Sequence, residues 1–244
     1  MTTTPPAGTS TTSEAAAGKI PAQSTAPARR DSRSFTTRIE ELCRKDPGAR
    51  SALRSGLGKD LDAVPRMHRP VAPWLPEPRS ADVERAYYAV AAMIASQPRS
   101  ARNAPDDTTE PVTAADDEPG TVVRRYGESL GTAFATAVTE GPGREKEMRA
   151  GTAESRLNLL TRQSVNGLHR HLPASVGYLR SLGVDIDWAQ LLDDLGRWRT
   201  HSGQISRRWL QDFYRLRAKN DAARADRADE QELLTTPAAG PDPS

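Results

Sequence analysis

Four sets of residues could carry chemistry on type and spacing alone. Gly56-Leu57-Gly58-Lys59 has part of a phosphate-binding loop. The full loop needs a glycine five residues before its second glycine and a Ser or Thr after the lysine. Those positions hold Leu53 and Asp60, so the segment reads as a helix stop with a surface lysine. His169 and His171 could begin a metal site, but residues two apart point to different helix faces. With no Cys or carboxylate at i+4 to complete a site, they read as surface or interface histidines, and His68 and His201 have no evident partner. Asp185/Asp187 and Asp193/Asp194 are paired carboxylates. Asp187 suits a helix cap, with Gln190 three residues on, and the others suit a solvated helix face. Cys43, the single cysteine, lies beside Arg44 and Lys45 but has no base to activate it, and reads as a small helix-face residue. No catalytic constellation, metal site or cofactor site emerges.

The elements that would position these residues read as helices. Apolar spacing predicts helices over 34–45, 48–55, 82–97, 123–139, 152–164, 187–199 and 204–219, with a proline-interrupted one over 166–182. Five prolines within 64–79 forbid a single helix there, and Trp74 and Leu75 are expected to anchor that segment on the core. Turns are expected at 141–143, 183–186 and 201–203. Trp188, Leu191, Leu192, Leu195 and Trp198 share helical spacing and read as core. No alternating strand is found, so the expected fold is all-α. It divides into a disordered tail (1–33), an N-terminal helical bundle (34–102), an acidic mobile loop (103–120), a C-terminal helical bundle (121–220) and a second disordered tail (221–244), which begins as a charged Ala/Arg/Asp helix extension. The tails are predicted disordered because Thr, Pro, Ala and Ser bury too little surface to offset chain entropy.

The chain has 244 residues, 36% of them apolar, with 34 Lys+Arg against 32 Asp+Glu and a net charge of +2. No apolar run approaches the roughly 20 residues of a membrane span, and the first 28 residues lack the apolar stretch of a secretory signal. The expectation is a cytoplasmic protein with no membrane association. The charge is unevenly placed. Residues 29–220 hold 31 basic and 25 acidic side chains, and six of those acids lie in 103–120, which has no base. Without that segment the helical body carries +12. Arginine dominates, which suits bidentate phosphate contacts, and Arg50, Arg54, Lys59, Arg156, Arg162, Arg170, Arg207 and Arg208 form the candidate nucleic-acid-binding set. The acidic segment is expected to compete with nucleic acid for this face. Segments 187–199 and 204–219 around a short turn also allow a second reading, a free-standing DNA-binding regulator of helix-turn-helix type.

The ordered segments DPGARSALRSGLGK (46–59), YYAVAAMIA (87–95), SLGTAFA (129–135), ESRLNLLTR (154–162), DWAQLL (187–192) and RWLQDFY (208–214) resemble the CasB family, the small subunit of the type I-E CRISPR effector complex, Cascade. The resemblance spans about 35–215. It implies an all-α, non-catalytic protein that assembles with the backbone and large subunits and with a second copy of itself. It implies contact with crRNA and target DNA, especially the displaced strand, during R-loop formation, while a separate helicase-nuclease cuts. It places family-type positive charge around Arg54, Arg156 and Arg162. Arg50, Lys59, Arg170, Arg207 and Arg208 join the set on charge alone.

Overall fold

The computed structural model describes Met1 and residues 26–98, 127–139 and 147–235. Among the described residues there are helices and no strands. The helices are α1 (Ala26–Lys45), α2 (Pro47–Arg54), α3 (Pro65–Val71), α4 (Ala81–Ala95), α5 (Leu130–Val138), α6 (Ala150–Thr161), α7 (Val165–Ser181) and α8 (Trp188–Thr235), with short 3₁₀ turns at Leu61–Ala63 and Ala72–Trp74.

Local chemistry starts and stops several of them. Asp46 accepts from the backbone N–H groups of Gly48 (2.8 Å) and Ala49 (2.9 Å), with Pro47 at the first helical position. Ser80 caps α4 through Val83 N, and Ser164 caps α7 through Gly167 N. Asp187 caps α8 by accepting from Gln190 N at 2.9 Å. The end of α7 is a left-handed glycine stop: Gly183 has φ +75°, its N–H donates to Arg180 O, and Val184 N–H donates to Leu179 O.

Several boundaries differ from the sequence reading. Helix α1 begins at Ala26 rather than at 34, so 26–33 belong to a helix and not to a tail; Ser32 Oγ donates to Asp193 Oδ1 at 2.7 Å and ties this extra turn to α8. Helix α8 continues to Thr235, because the alanines and alternating charges after 220 suit a solvated helix. Helix α5 starts at Leu130, with 127–129 outside any helix, and the predicted start at 123 lies outside the described residues. Helix α7 passes through Pro173 without interruption. The predicted loop 103–120, the turn 141–143 and the outer parts of both tails lie outside the described residues.

The two helical groups meet over one continuous core, in which α8 packs against α1, α4 and α5. Phe35, Leu53, Met67, Phe134, Leu157, Leu168, Trp198 and Trp209 are fully enclosed. Trp188, Leu191, Leu192 and Leu195 are buried with them, whereas Trp74 stays half exposed 6.4 Å from Phe35. At Gly131, α5 lies so close to α8 that a Cβ there would stand 1.8 Å from the carbonyl oxygen of Trp209.

Helix α8 is folded back on itself at His201, whose φ of −128° and ψ of 18° break the helical path. Trp209 Nε1 donates to Asp194 Oδ2 at 2.7 Å, and the rings of Trp198 and Trp209 are 5.1 Å apart. In a straight helix, residues 194 and 209 would be separated by about 22 Å. The expected turn at 201–203 is therefore the apex of a hairpin with an aromatic seam.

Candidate nucleic-acid interface

The eight predicted cations separate by what their side chains already hold. Arg50 Nε donates to Ala95 O at 3.1 Å, so this arginine caps the C-terminus of α4. Arg208 donates to Asp194, whose side chain is almost fully enclosed. Arg156 lies over the Tyr178 ring, 4.6 Å from its centroid. Arg54, Lys59, Arg162, Arg170 and Arg207 are exposed, and their side chains have no ion pair or hydrogen bond among the described residues.

The fold gathers these five into two groups. Ser206 Oγ donates to Thr161 O at 3.1 Å, so Arg162 and Arg207, one residue on from each, stand on adjoining segments. Trp198 Nε1 donates to Gln163 O at 3.0 Å and fixes the same junction to the hairpin seam. In the second group, Lys59 and Arg170 line a cleft of about 300 Å³ between the α2–α3 connection, α4 and α7. Gly58, with φ +70°, turns the chain at the mouth of this cleft, and Arg54 ends the helix just before it.

Of the other cleft residues, Arg85 escaped the sequence reading and His169 was placed differently by it. Arg85 projects from α4, donates to Asn166 Oδ1 and stands 3.8 Å from the exposed Asp60. The one base of α4, a helix rich in apolar residues, was the available signal. His169 is not at the surface: it is 8% exposed, and burial, reinforced by Arg85, lowers its imidazole to about 4 despite the opposing charge of Asp82. It is therefore neutral at pH 7.

Other titratable groups are structural. Asp194 is not on a solvated face; it is completely buried and also accepts from Gln190 Nε2 at 2.9 Å. Asp185 pairs with Arg180, which also donates to Gln97 Oε1 and Val184 O. Asp187 Oδ2 accepts from the N–H groups of Gly127 and Glu128, beyond its capping role. His68 does have a partner, the Tyr88 hydroxyl at 2.6 Å, and His201 meets Thr200 Oγ1 at 2.7 Å. Burial raises the Cys43 thiol to about 11, which leaves it unreactive as a nucleophile. Among the described residues, no three His, Cys, Asp or Glu side chains converge on a metal position, and no helix is long and apolar enough to cross a membrane.

None of the curated proteins compared with this chain matches it. A family profile described as CRISPR-associated protein Cse2 (CRISPR_cse2) matches residues 49–214. A chain of a solved "CRISPR RNA-guided surveillance complex" is 38% identical, with a TM-score of 0.64 over 79% of this chain and 96% of that one. The Cse2-family protein of Thermus thermophilus (23% identity, TM-score 0.52, 75% and 97% covered) and M. ruber CasB (21%, 0.55, 79% and 97%) share the all-α fold. With two thirds of its length matched by the profile and its helices in this arrangement, the chain belongs to the Cse2, or CasB, family of CRISPR-associated proteins.

Proposed function

We propose that this chain is the non-catalytic small subunit of a CRISPR RNA-guided surveillance complex, a Cascade of type I-E. In this reading it binds nucleic-acid backbone without sequence preference and stabilises the R-loop during antiviral defence. Its partners are the backbone and large subunits, a second copy of itself, crRNA and target DNA, above all the displaced strand. The carrying observation is that Arg54, Lys59, Arg162, Arg170 and Arg207 stand on firmly packed segments with no protein anion among the described residues to hold them. Cations that serve folding are paired, as Arg208 and Arg180 are. Unpaired arginines on rigid elements are suited to phosphate oxygens, and guide pairing relieves such a subunit of any need to read bases. Because strand exchange is nearly balanced, a modest grip on the displaced strand shifts it toward the open form.

The helix-turn-helix reading gains less support. The arms of α8 bury Trp198, Ile205, Trp209 and Phe213 in the core, and Arg208 is tied to Asp194. The test is assembly with the other effector subunits and crRNA, comparing R-loop lifetime for the wild-type subunit and an Arg54→Ala/Arg162→Ala/Arg207→Ala variant across a low-to-high salt series. The variant should shorten the lifetime and flatten its salt dependence. Equal lifetimes at every salt concentration would refute the role given to these residues.

A further inference from the structure

The cleft between the α2–α3 connection, α4 and α7 has a composition that a simple backbone track does not require. Three cationic side chains, Lys59, Arg85 and Arg170, line it, and Lys59 and Arg170 have no anionic partner among the described residues. His169, more than nine-tenths buried, also lines it and makes no hydrogen bond among the described residues. Its ring nitrogens are not among the enclosed polar atoms left without a partner, so they are open to the cleft and to whatever occupies it. Beside these polar groups and Asn166, much of the lining is apolar. Leu57, one of the few large apolar side chains left exposed, stands there with Leu61 and Pro173. Pro173 lacks an N–H, so the carbonyl of His169, four residues earlier, loses its usual helical donor. The volume of about 300 Å³ lies at the lower end of the range for small-ligand sites.

We propose that this cleft is a pocket for a single nucleotide unit, in which Lys59, Arg85 and Arg170 take the phosphate and the base lies against Leu57, Leu61 and Pro173. This rests on the nucleic-acid reading above and goes beyond it, since contact along a backbone needs no enclosed site. Arg85 is already oriented by Asn166, one helical turn from Arg170 on the same face, so part of the phosphate clamp is set before binding. The neutral His169 ring and the carbonyl of that residue supply hydrogen-bonding groups that a nucleoside can meet and a bare anion can meet only in part.

The experiment uses the full chain, with adenosine 5′-monophosphate, ribose 5-phosphate and inorganic phosphate as probes. Affinity is followed by calorimetry and by the imidazole NMR signals of His169. Saturable binding of the nucleotide is expected, at least about tenfold tighter than either probe lacking a base, with a shift of the His169 resonances. Arg170→Ala should weaken nucleotide binding by about tenfold or more. Leu57→Asp should weaken the nucleotide much more than inorganic phosphate. Arg162→Ala, outside the cleft, should leave nucleotide affinity unchanged while reducing affinity for single-stranded DNA. Absence of saturable nucleotide binding, equal affinity for all three probes, or an equal loss in Arg162→Ala and Arg170→Ala would each overturn the pocket. If the chain still binds single-stranded DNA in a salt-dependent manner, that failure leaves the proposed function standing.

Discussion

Arg207 and Arg208 are adjacent, but the hairpin gives them opposite tasks, and replacing each by alanine separates binding from folding. Asp194 is completely buried and holds three donors: Gln190 Nε2, Arg208 Nη2 and Trp209 Nε1. Arg208→Ala leaves that carboxylate with two neutral donors and no countercharge. Breaking a buried pair from one side costs about 3 to 5 kcal/mol. The Arg208 side chain is 36% exposed, so water screens part of the loss, and about 2 to 3 kcal/mol is expected. For a chain of this size that lowers Tm by roughly 5 to 10 °C. Arg207 is exposed with no partner among the described residues, so Arg207→Ala should change stability by less than about 0.5 kcal/mol. Its effect belongs in binding: the slope of log affinity against log salt for single-stranded DNA should shrink by about 0.7, the loss of one phosphate contact. Urea denaturation and a salt series on both variants make the comparison. The reasoning fails if Arg208→Ala melts like the wild type, or if Arg207→Ala destabilises by more than about 1 kcal/mol with an unchanged salt slope.

Three further outcomes follow from the packing. His169 titrates near 4 in the folded chain and at 6.5 when free, so the unfolded state binds the extra proton as pH falls below 6.5. Stability contributed by the neutral ring is complete above pH 6.5 and falls by about 2 kcal/mol by pH 5; urea midpoints at pH 7 and 5 should therefore move less in His169→Gln than in the wild type. Gly131→Ala would drive a methyl group into the Trp209 carbonyl and should cost about 3 kcal/mol in denaturant unfolding, because both helices are held by the core. Cys43, buried with its thiol raised to about 11, should resist thiol reagents at pH 8 in the native state and react rapidly once urea unfolds the chain.

Much of the architecture was written locally. The caps at Asp46, Ser164 and Asp187, the glycine stop at Gly183 and the apolar spacing of 188–198 all act within about four residues, the reach of a helical hydrogen bond. They sufficed for an all-α chain and for the order of its helices. The charged start of α1 reads as a tail, and the point where the charged extension of α8 ends is not legible, because composition alone does not distinguish a solvated helix from a tail. The net positive charge of the helical body was likewise a property of the sequence, once the acidic segment 103–120 was set apart.

Which cations remain available was decided by the tertiary structure alone. Arg208 and Arg207 are equivalent in sequence, yet a turn at His201 brings Asp194 back to one and leaves the other without a partner among the described residues. Arg85 meets Asn166 from 81 positions away, and Arg199 clasps Asp82 across 117. A side chain's charge is a local property, whereas its partner depends on how helices cross. Burial follows the same rule: His169 and Asp194 look like exposed polar residues until packing from distant helices removes their water.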